Sequence, residues 1–177
     1  MYKMSLMPLF TAEAIQEMVQ ILGEKIARNY KFDVVVGLLT GSFVFASDLC
    51  RHFPDPKIKV HFIKASSYGD STESSGKLEV SLAGDLDIAG KKVLLLDDIL
   101  DTGLTLQKMV GFLQEKGAAE VKTCVLLEKR ARRKADIKAD FVGFSIEDGF
   151  VVGYGLDCAG EYRTMPDIWT LESDNEN

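Results

Sequence analysis

The chain has 177 residues, 46% of them hydrophobic and 27% charged, with a formal net charge of −6, which suits one domain with a sizeable core. That negative balance argues against a broad electrostatic grip on nucleic acid or an anionic membrane, and no apolar run reaches membrane-spanning length. Cys50, Cys124 and Cys158 stand far apart with no CxxC pair, so neither a zinc site nor a disulfide framework is suggested. Without a secretory pattern in the first ten residues, a cytoplasmic protein with reduced thiols is expected.

From Ala12 to Asn29, Ile15, Met18, Val19, Leu22 and Ile26 recur at helical spacing, and Thr11 can cap the first turn. Val34 to Leu39 has no polar side, as expected of a strand covered on both faces, and Thr40-Gly41-Ser42 then turns into a helix ending near His52. Pro54 and Pro56 precede Lys57 to Ala65, where Ile58, Val60 and Phe62 alternate with Lys57, Lys59 and His61 as in a half-buried strand. Ser66 to Gly76 has almost nothing to bury and reads as a surface loop able to order over a ligand, or as a plain hairpin connection.

Val93 to Leu96 is a second fully apolar strand, followed by an acidic loop and a helix with Leu106, Met109, Val110 and Leu113 on one face and Gly117 as its stop. Val121 to Leu127 repeats the strand pattern. Strands alternating with helices imply an α/β fold with a mostly parallel sheet, and ligands then sit beyond the carboxyl ends of the strands. The loops starting at Thr40, Asp97 and Glu128 should share that edge. Glu172 to Asn177 reads as a polar acidic tail after a single domain spanning 1–171.

The strongest chemical signal is Asp97-Asp98-Ile99-Leu100-Asp101-Thr102-Gly103-Leu104-Thr105. Carboxylates this dense at a strand end need solvent, a cation or hydroxyl groups. Thr102 to Thr105 opens a helix, where free amides and the two threonine hydroxyls can surround a phosphate and Gly103 allows close approach. Asp97 and Asp98 would repel that phosphate, so they face a vicinal diol or a magnesium ion. Together the halves describe a ribose 5-phosphate. The string also matches the DDxxD motif of prenyl synthases, but those sites lie on helices whereas this one follows a strand; a receiver domain would place its acids nearer the chain start; and no GxxxxGK[ST] loop occurs.

Val93 to Leu106 resembles the diphosphate-sugar signature of type I phosphoribosyltransferases. Leu39-Thr40-Gly41-Ser42-Phe43, Ser67-Tyr68, Leu127-Glu128-Lys129-Arg130, and Asp140 to Phe144 through Phe150-Val151-Val152-Gly153-Tyr154-Gly155-Leu156-Asp157 extend the resemblance toward the hypoxanthine (hypoxanthine-guanine) branch, from about residue 34 to Arg163. The resemblance implies a parallel central sheet flanked by helices, a small hood and a flexible lid loop bearing Ser67 and Tyr68. It implies magnesium-dependent transfer of ribose 5-phosphate from phosphoribosyl diphosphate (PRPP) to N9 of a 6-oxopurine, by a homodimer or homotetramer.

By position, Asp101 falls on the general acid/base near purine N7, Asp97 and Asp98 on ribose-hydroxyl and metal contacts, and Asp101 to Thr105 on the 5-phosphate loop, Leu104 included. Lys129 falls on the contact to the exocyclic oxygen, Phe150 on the ring that stacks on the base with Ile99 opposite, and the Val151 backbone on the base edge. Asp157 falls on a magnesium ligand, Arg163 on a pyrophosphate contact, and Thr40 with Gly41 on the pyrophosphate loop. Thr40 replaces a cation common in relatives, leaving more to the amides of Gly41 and Ser42, and the peptide before it is expected to be cis. Asp97 stands where Glu is frequent. A non-catalytic PRPP-sensing regulator, or an enzyme of the same fold acting on xanthine or another base, are the competing functions.

Overall fold

The computed structural model describes residues 4–67, 78–82 and 85–173. In chain order the elements are β1 (Met4–Phe10), α1 (Ala12–Asn29), β2 (Val34–Leu39), α2 (Phe43–Cys50), β3 (Lys59–Ser67), β4 (Leu78–Leu82), β5 (Lys92–Leu100), α3 (Leu104–Glu115), β6 (Glu120–Lys129), β7 (Phe141–Ile146), β8 (Val151–Val152) and β9 (Ile168–Ser173).

A six-stranded sheet runs β4-β3-β2-β5-β6-β7. β2 pairs in parallel with β3 and β5, β5 with β6, and β6 with β7; only the β3–β4 pair is antiparallel. The runs without a polar side are explained by two cores. Val35, Leu94, Leu96 and Leu126 join Ile15, Val19, Leu22 and Ile26 of α1 and Phe45, Ala46 and Leu49 of α2 in one. The alternate residues Val34, Val36, Leu38, Val93, Leu95 and Val125 join Leu106, Met109 and Leu113 of α3 in the other. Successive side chains on a strand point to opposite faces, so a strand feeding two cores must be apolar throughout.

The helix ends follow local chemistry. Thr11 Oγ1 accepts from the Ala14 amide at 3.3 Å, and the Asp167 carboxylate accepts from the Ala12 amide at 2.7 Å. At the far end of α3, Gly117 adopts φ 89°. Its amide donates to Gln114 O and that of Ala118 to Leu113 O, the paired closure that a left-handed glycine permits.

Two features depart from the sequence reading. Ile58, just before β3, and Phe62 within it pack partly on the α1–α2 core, yet Val60, expected inward with them, is 43% exposed and outside that cluster. A separate three-stranded antiparallel sheet, β1-β9-β8, corresponds to the expected small hood. The second departure is that its β9 carries Glu172 and Ser173, opposite Ser5 and Met4, so this strand runs two residues into the segment read as a tail.

Candidate active site

The carboxyl ends of β2, β5 and β6 meet at one edge of the sheet, the edge where parallel α/β sheets hold their ligands. The acidic segment begins on the strand rather than in a loop. β5 continues to Leu100 because β6 runs to Lys129 and supplies ladder partners, with Asp97 opposite Val125 and Ile99 opposite Leu127. The Asp98 amide donates to Asp97 Oδ1 and the Ile99 amide to Asp98 Oδ1, both at 3.0 Å.

This placement is electrostatically costly. Burial first, then the charge of Asp98, pushes the Asp97 carboxyl well above its ordinary value. Burial also raises that of Asp98, against hydrogen bonds and the Arg163 guanidinium, which act to lower it. Two adjacent buried carboxylates are best satisfied by a cation or by hydroxyl donors. Magnesium usually keeps several waters and takes one or two carboxylates plus substrate phosphate oxygens, and the Asp97–Asp98 pair fits that role. Among the described residues no group of three or more His, Cys, Asp or Glu could hold a metal. Asp157, which the resemblance adds to the pair, pairs with Arg163 Nη2 at 2.7 Å and accepts from the Gly160 amide at 2.7 Å.

The turn after β2 packs against this pair. A Cβ on Gly41 would collide with the Asp98 carboxylate, and one on Gly155 with the Gly41 carbonyl oxygen. Glycine is the residue that permits such approach. Gly155 O in turn accepts from Arg163 Nη1 at 2.6 Å. Thr40, Gly41, Asp98 and Arg163 are thereby linked in one layer, and the Leu39–Thr40 peptide is cis. Ser42 is buried, its hydroxyl donating to Leu38 O at 2.6 Å and its amide to the same oxygen at 3.3 Å. Of the two amides assigned to an anion from sequence, that of Ser42 is therefore engaged inside the turn.

Beyond β5, Asp97 through Gly103, with Thr105 and Leu106, line a pocket of about 230 Å³. Gly103 adopts φ 83° and starts α3 with no side-chain cap of its own and no acid in the first turn. The Thr102 hydroxyl accepts from the Leu104 amide at a long 3.4 Å, and Leu104 is exposed. A helix start left so open attracts an anion through its free amides and dipole. Thr102 O accepts the amides of Lys134 and Ala135 at 2.9 and 3.0 Å, so the turn after β6 braces this loop.

At the end of β6, buried Lys129 places Nζ 3.4 Å from Asp101 Oδ2, and from the turn that follows Arg132 Nη1 lies 3.8 Å from the same oxygen. Asp101 Oδ1 is buried with no hydrogen-bond partner. Arg132 and Arg133 were missed in the sequence reading; Arg133 bonds Glu128 at 2.9 Å and Lys129 O at 3.3 Å and packs beside Gly103. The basic run Lys129 to Lys134 was the signal available.

Phe150 and Val151 lie outside the lining of the Asp97–Leu106 pocket. Phe150 is 50% exposed, so its ring is available for stacking rather than spent in the core, while Val151 is buried in β8. Ile99 is half-buried on β5. Ser67 ends β3 opposite Leu78 of β4, and Tyr68, with most of the expected lid, lies outside the described residues.

Comparison with known proteins agrees with this geometry. A phosphoribosyl transferase domain family model matches residues 9–159. The chain is 47% identical over 168 residues to the hypoxanthine-guanine phosphoribosyltransferase of Aquifex aeolicus, covering 93% of each, and 42% identical over 166 residues to that of Bacillus subtilis, covering 93% of this chain and 92% of the other. A crystal structure of a hypoxanthine-guanine phosphoribosyltransferase from Bacillus anthracis, with HEPES in its active site, superposes with a TM-score of 0.84 at 43% identity, covering 92% of this chain and 96% of that one.

Proposed function

The chain belongs to the phosphoribosyl transferase domain family, and from that premise we propose that it is a hypoxanthine phosphoribosyltransferase of purine salvage. It transfers the 5-phosphoribosyl group of PRPP to N9 of hypoxanthine, and of guanine, giving IMP or GMP and pyrophosphate. The observation that carries this reading is the Asp101 carboxylate, one oxygen held by Lys129 and the other buried without a partner. A buried polar atom left unsatisfied costs about 1–3 kcal/mol, a cost that a donor N–H on a bound base removes.

Each residue takes a role that its environment suits. The amides at the start of α3 hold the 5-phosphate, and Asp97 and Asp98 accept from the ribose hydroxyls or approach the metal. Gly41 and Arg163 face the leaving pyrophosphate. Lys129 meets the oxygen at purine C6, a contact that a 6-amino base cannot repay, while Phe150 stacks on the ring and the Val151 backbone reads its edge. As the C1–O bond to pyrophosphate breaks and the N9–C1 bond forms, Asp101 accepts the proton from N7. Magnesium, when bound, supplies charge to the departing pyrophosphate. Ser67 and Tyr68 belong to the lid that keeps water from the activated sugar.

No helix among the described residues is long and apolar enough to cross a membrane. A cytoplasmic homodimer or homotetramer acting on small molecules is the proposed assembly. The test is pyrophosphate release from PRPP and magnesium with hypoxanthine, guanine, xanthine, adenine and orotate in turn. Release with hypoxanthine and guanine and none with adenine is expected. Xanthine as the preferred base would reassign the specificity, and silence with all five would replace the enzyme with a PRPP sensor.

A further inference from the structure

We propose that Tyr154 is a positioning residue for the pyrophosphate loop: its hydroxyl, bonded to the Asp48 carboxylate on α2, holds the Gly153–Gly155 turn against Gly41 and Arg163. The inference rests on the phosphoribosyl-transfer reading given above.

Gly153, Tyr154 and Gly155 adopt φ 96°, 51° and 98° in succession. The two glycines are demanded by space, since a Cβ on Gly153 would collide with the Asp167 carbonyl and one on Gly155 with that of Gly41. Tyr154 is different. A bulky residue rarely adopts positive φ, and such a conformation persists where surrounding contacts over-determine it.

The contacts here are specific. The Tyr154 amide donates to Met165 O at 2.8 Å, a bond any residue could make. Its hydroxyl donates to Asp48 Oδ2 at 2.7 Å across 106 positions of sequence, which glycine or phenylalanine could not. Burial, with the Asp48 carboxylate beside it, pushes the hydroxyl far above the ordinary tyrosine value, so it remains a donor. Asp48 is itself steered, its Oδ1 receiving Arg51 Nη1 at 2.6 Å.

The bond therefore joins two parts of the site. α2 begins directly after the Thr40–Ser42 turn and carries Asp48 in its second turn. The 153–155 turn abuts Gly41 and presents Gly155 O to Arg163. Releasing the hydroxyl frees this turn, and Gly41 and Arg163 lose their common support. The base side is held separately: Val151 and Val152 pair with Thr170 and Trp169 of β9. The effect should thus fall on PRPP and pyrophosphate and spare the base.

The experiment is calorimetric titration of the full chain with PRPP and magnesium, alongside KM for hypoxanthine and a thermal melt of each variant. Tyr154→Phe should weaken PRPP binding about 5- to 10-fold, a part of what a hydrogen bond to a charged acceptor is worth because this one acts on the ligand through the turn, and leave the base KM within about twofold. Asp48→Ala should do the same, and combining the two should add little, as for partners in one contact. Asp48→Asn, whose amide oxygen still accepts, should bind PRPP nearly as the wild type does. Because the bond is attacked from both α2 and the turn, one variant failing to fold leaves the other readable. Tyr154→Phe binding PRPP as tightly as the wild type, or Asp48→Asn falling as far as Asp48→Ala, would overturn the proposal. A wild type that binds PRPP but transfers to no base would instead sink the transfer reading, while the binding comparison would still decide the role of Tyr154.

Discussion

α1 and α3 pack on opposite faces of the same sheet, but their first turns are built in opposite ways. At α1 the Thr11 hydroxyl and the Asp167 carboxylate take up the free amides, and Glu13 lies in the first turn to meet the helix dipole. At α3 the chain enters through left-handed Gly103, with no cap from that residue and no acid in the first turn. The first helix is closed by the protein itself and so contributes only to stability. The second is held in place from outside, by Lys134 and Ala135 on Thr102 O, while its amides are left for an anion. A helix start that a fold leaves unsatisfied beside unsatisfied carboxylates is a place where a ligand completes the structure.

The two ends should respond differently to substitution. The largest effect is expected at Asp101, next to the open helix: Asp101→Asn should lower kcat by about 10²- to 10⁴-fold, the usual worth of a general acid or base, with the melting temperature barely moved. Comparable turnover by both proteins would remove Asp101 from the proton transfer. Gly103→Ala comes next. Its φ of 83° is costly for an L-residue, by about 1–2 kcal/mol, and the new methyl would press on Ile137 Cγ2 at 2.8 Å. Both stability and PRPP affinity should fall, read by a melt and by KM for PRPP.

Thr11→Ala should cost about 0.5–2 kcal/mol of stability, the range for a lost cap, and leave kcat/KM unchanged. A loss of turnover there would contradict the division between the two ends. The smallest effect lies in pH. The Asp97 and Asp98 carboxyls are raised by the fold, so the folded protein binds more protons than the unfolded one above the ordinary aspartate value of about 3.9. What they contribute to stability is complete below that pH and is lost as pH rises through the raised values. The melting advantage of Asp97→Asn over the wild type should therefore be absent near pH 3 and grow toward neutrality.

Much of this was legible in the sequence because it is local. The unbroken Val34 to Leu39 and Val93 to Leu96 runs expose strands with two cores, and Thr11 and Gly117 mark helix ends by their own chemistry. Asp97 to Thr105 carries both halves of a sugar-phosphate site within nine residues. What depends on distant partners was hidden. That Asp97 and Asp98 sit on β5 rather than in a loop is decided by the length of β6. β1 escaped notice because Pro8 and a register shift before Phe10 interrupt its pattern, which an edge strand tolerates. No spacing rule links Tyr154 to Asp48, or Arg133 to Gly103, since those pairs exist only once the chain has folded. Val60 lies outside the cluster that takes in Ile58 and Phe62, which alternation along β3 does not encode.

The most direct test of the account is the thermal midpoint of the wild type and Asp97→Asn at neutral pH, each alone and with PRPP and magnesium. If the carboxylate pair is held for its ligand at the expense of the free protein, the variant melts higher alone, its amide relieving the repulsion by donating to Asp98, and only the wild type gains strongly on adding ligand. A variant that melts lower alone, or gains as much from PRPP and magnesium as the wild type, would contradict it.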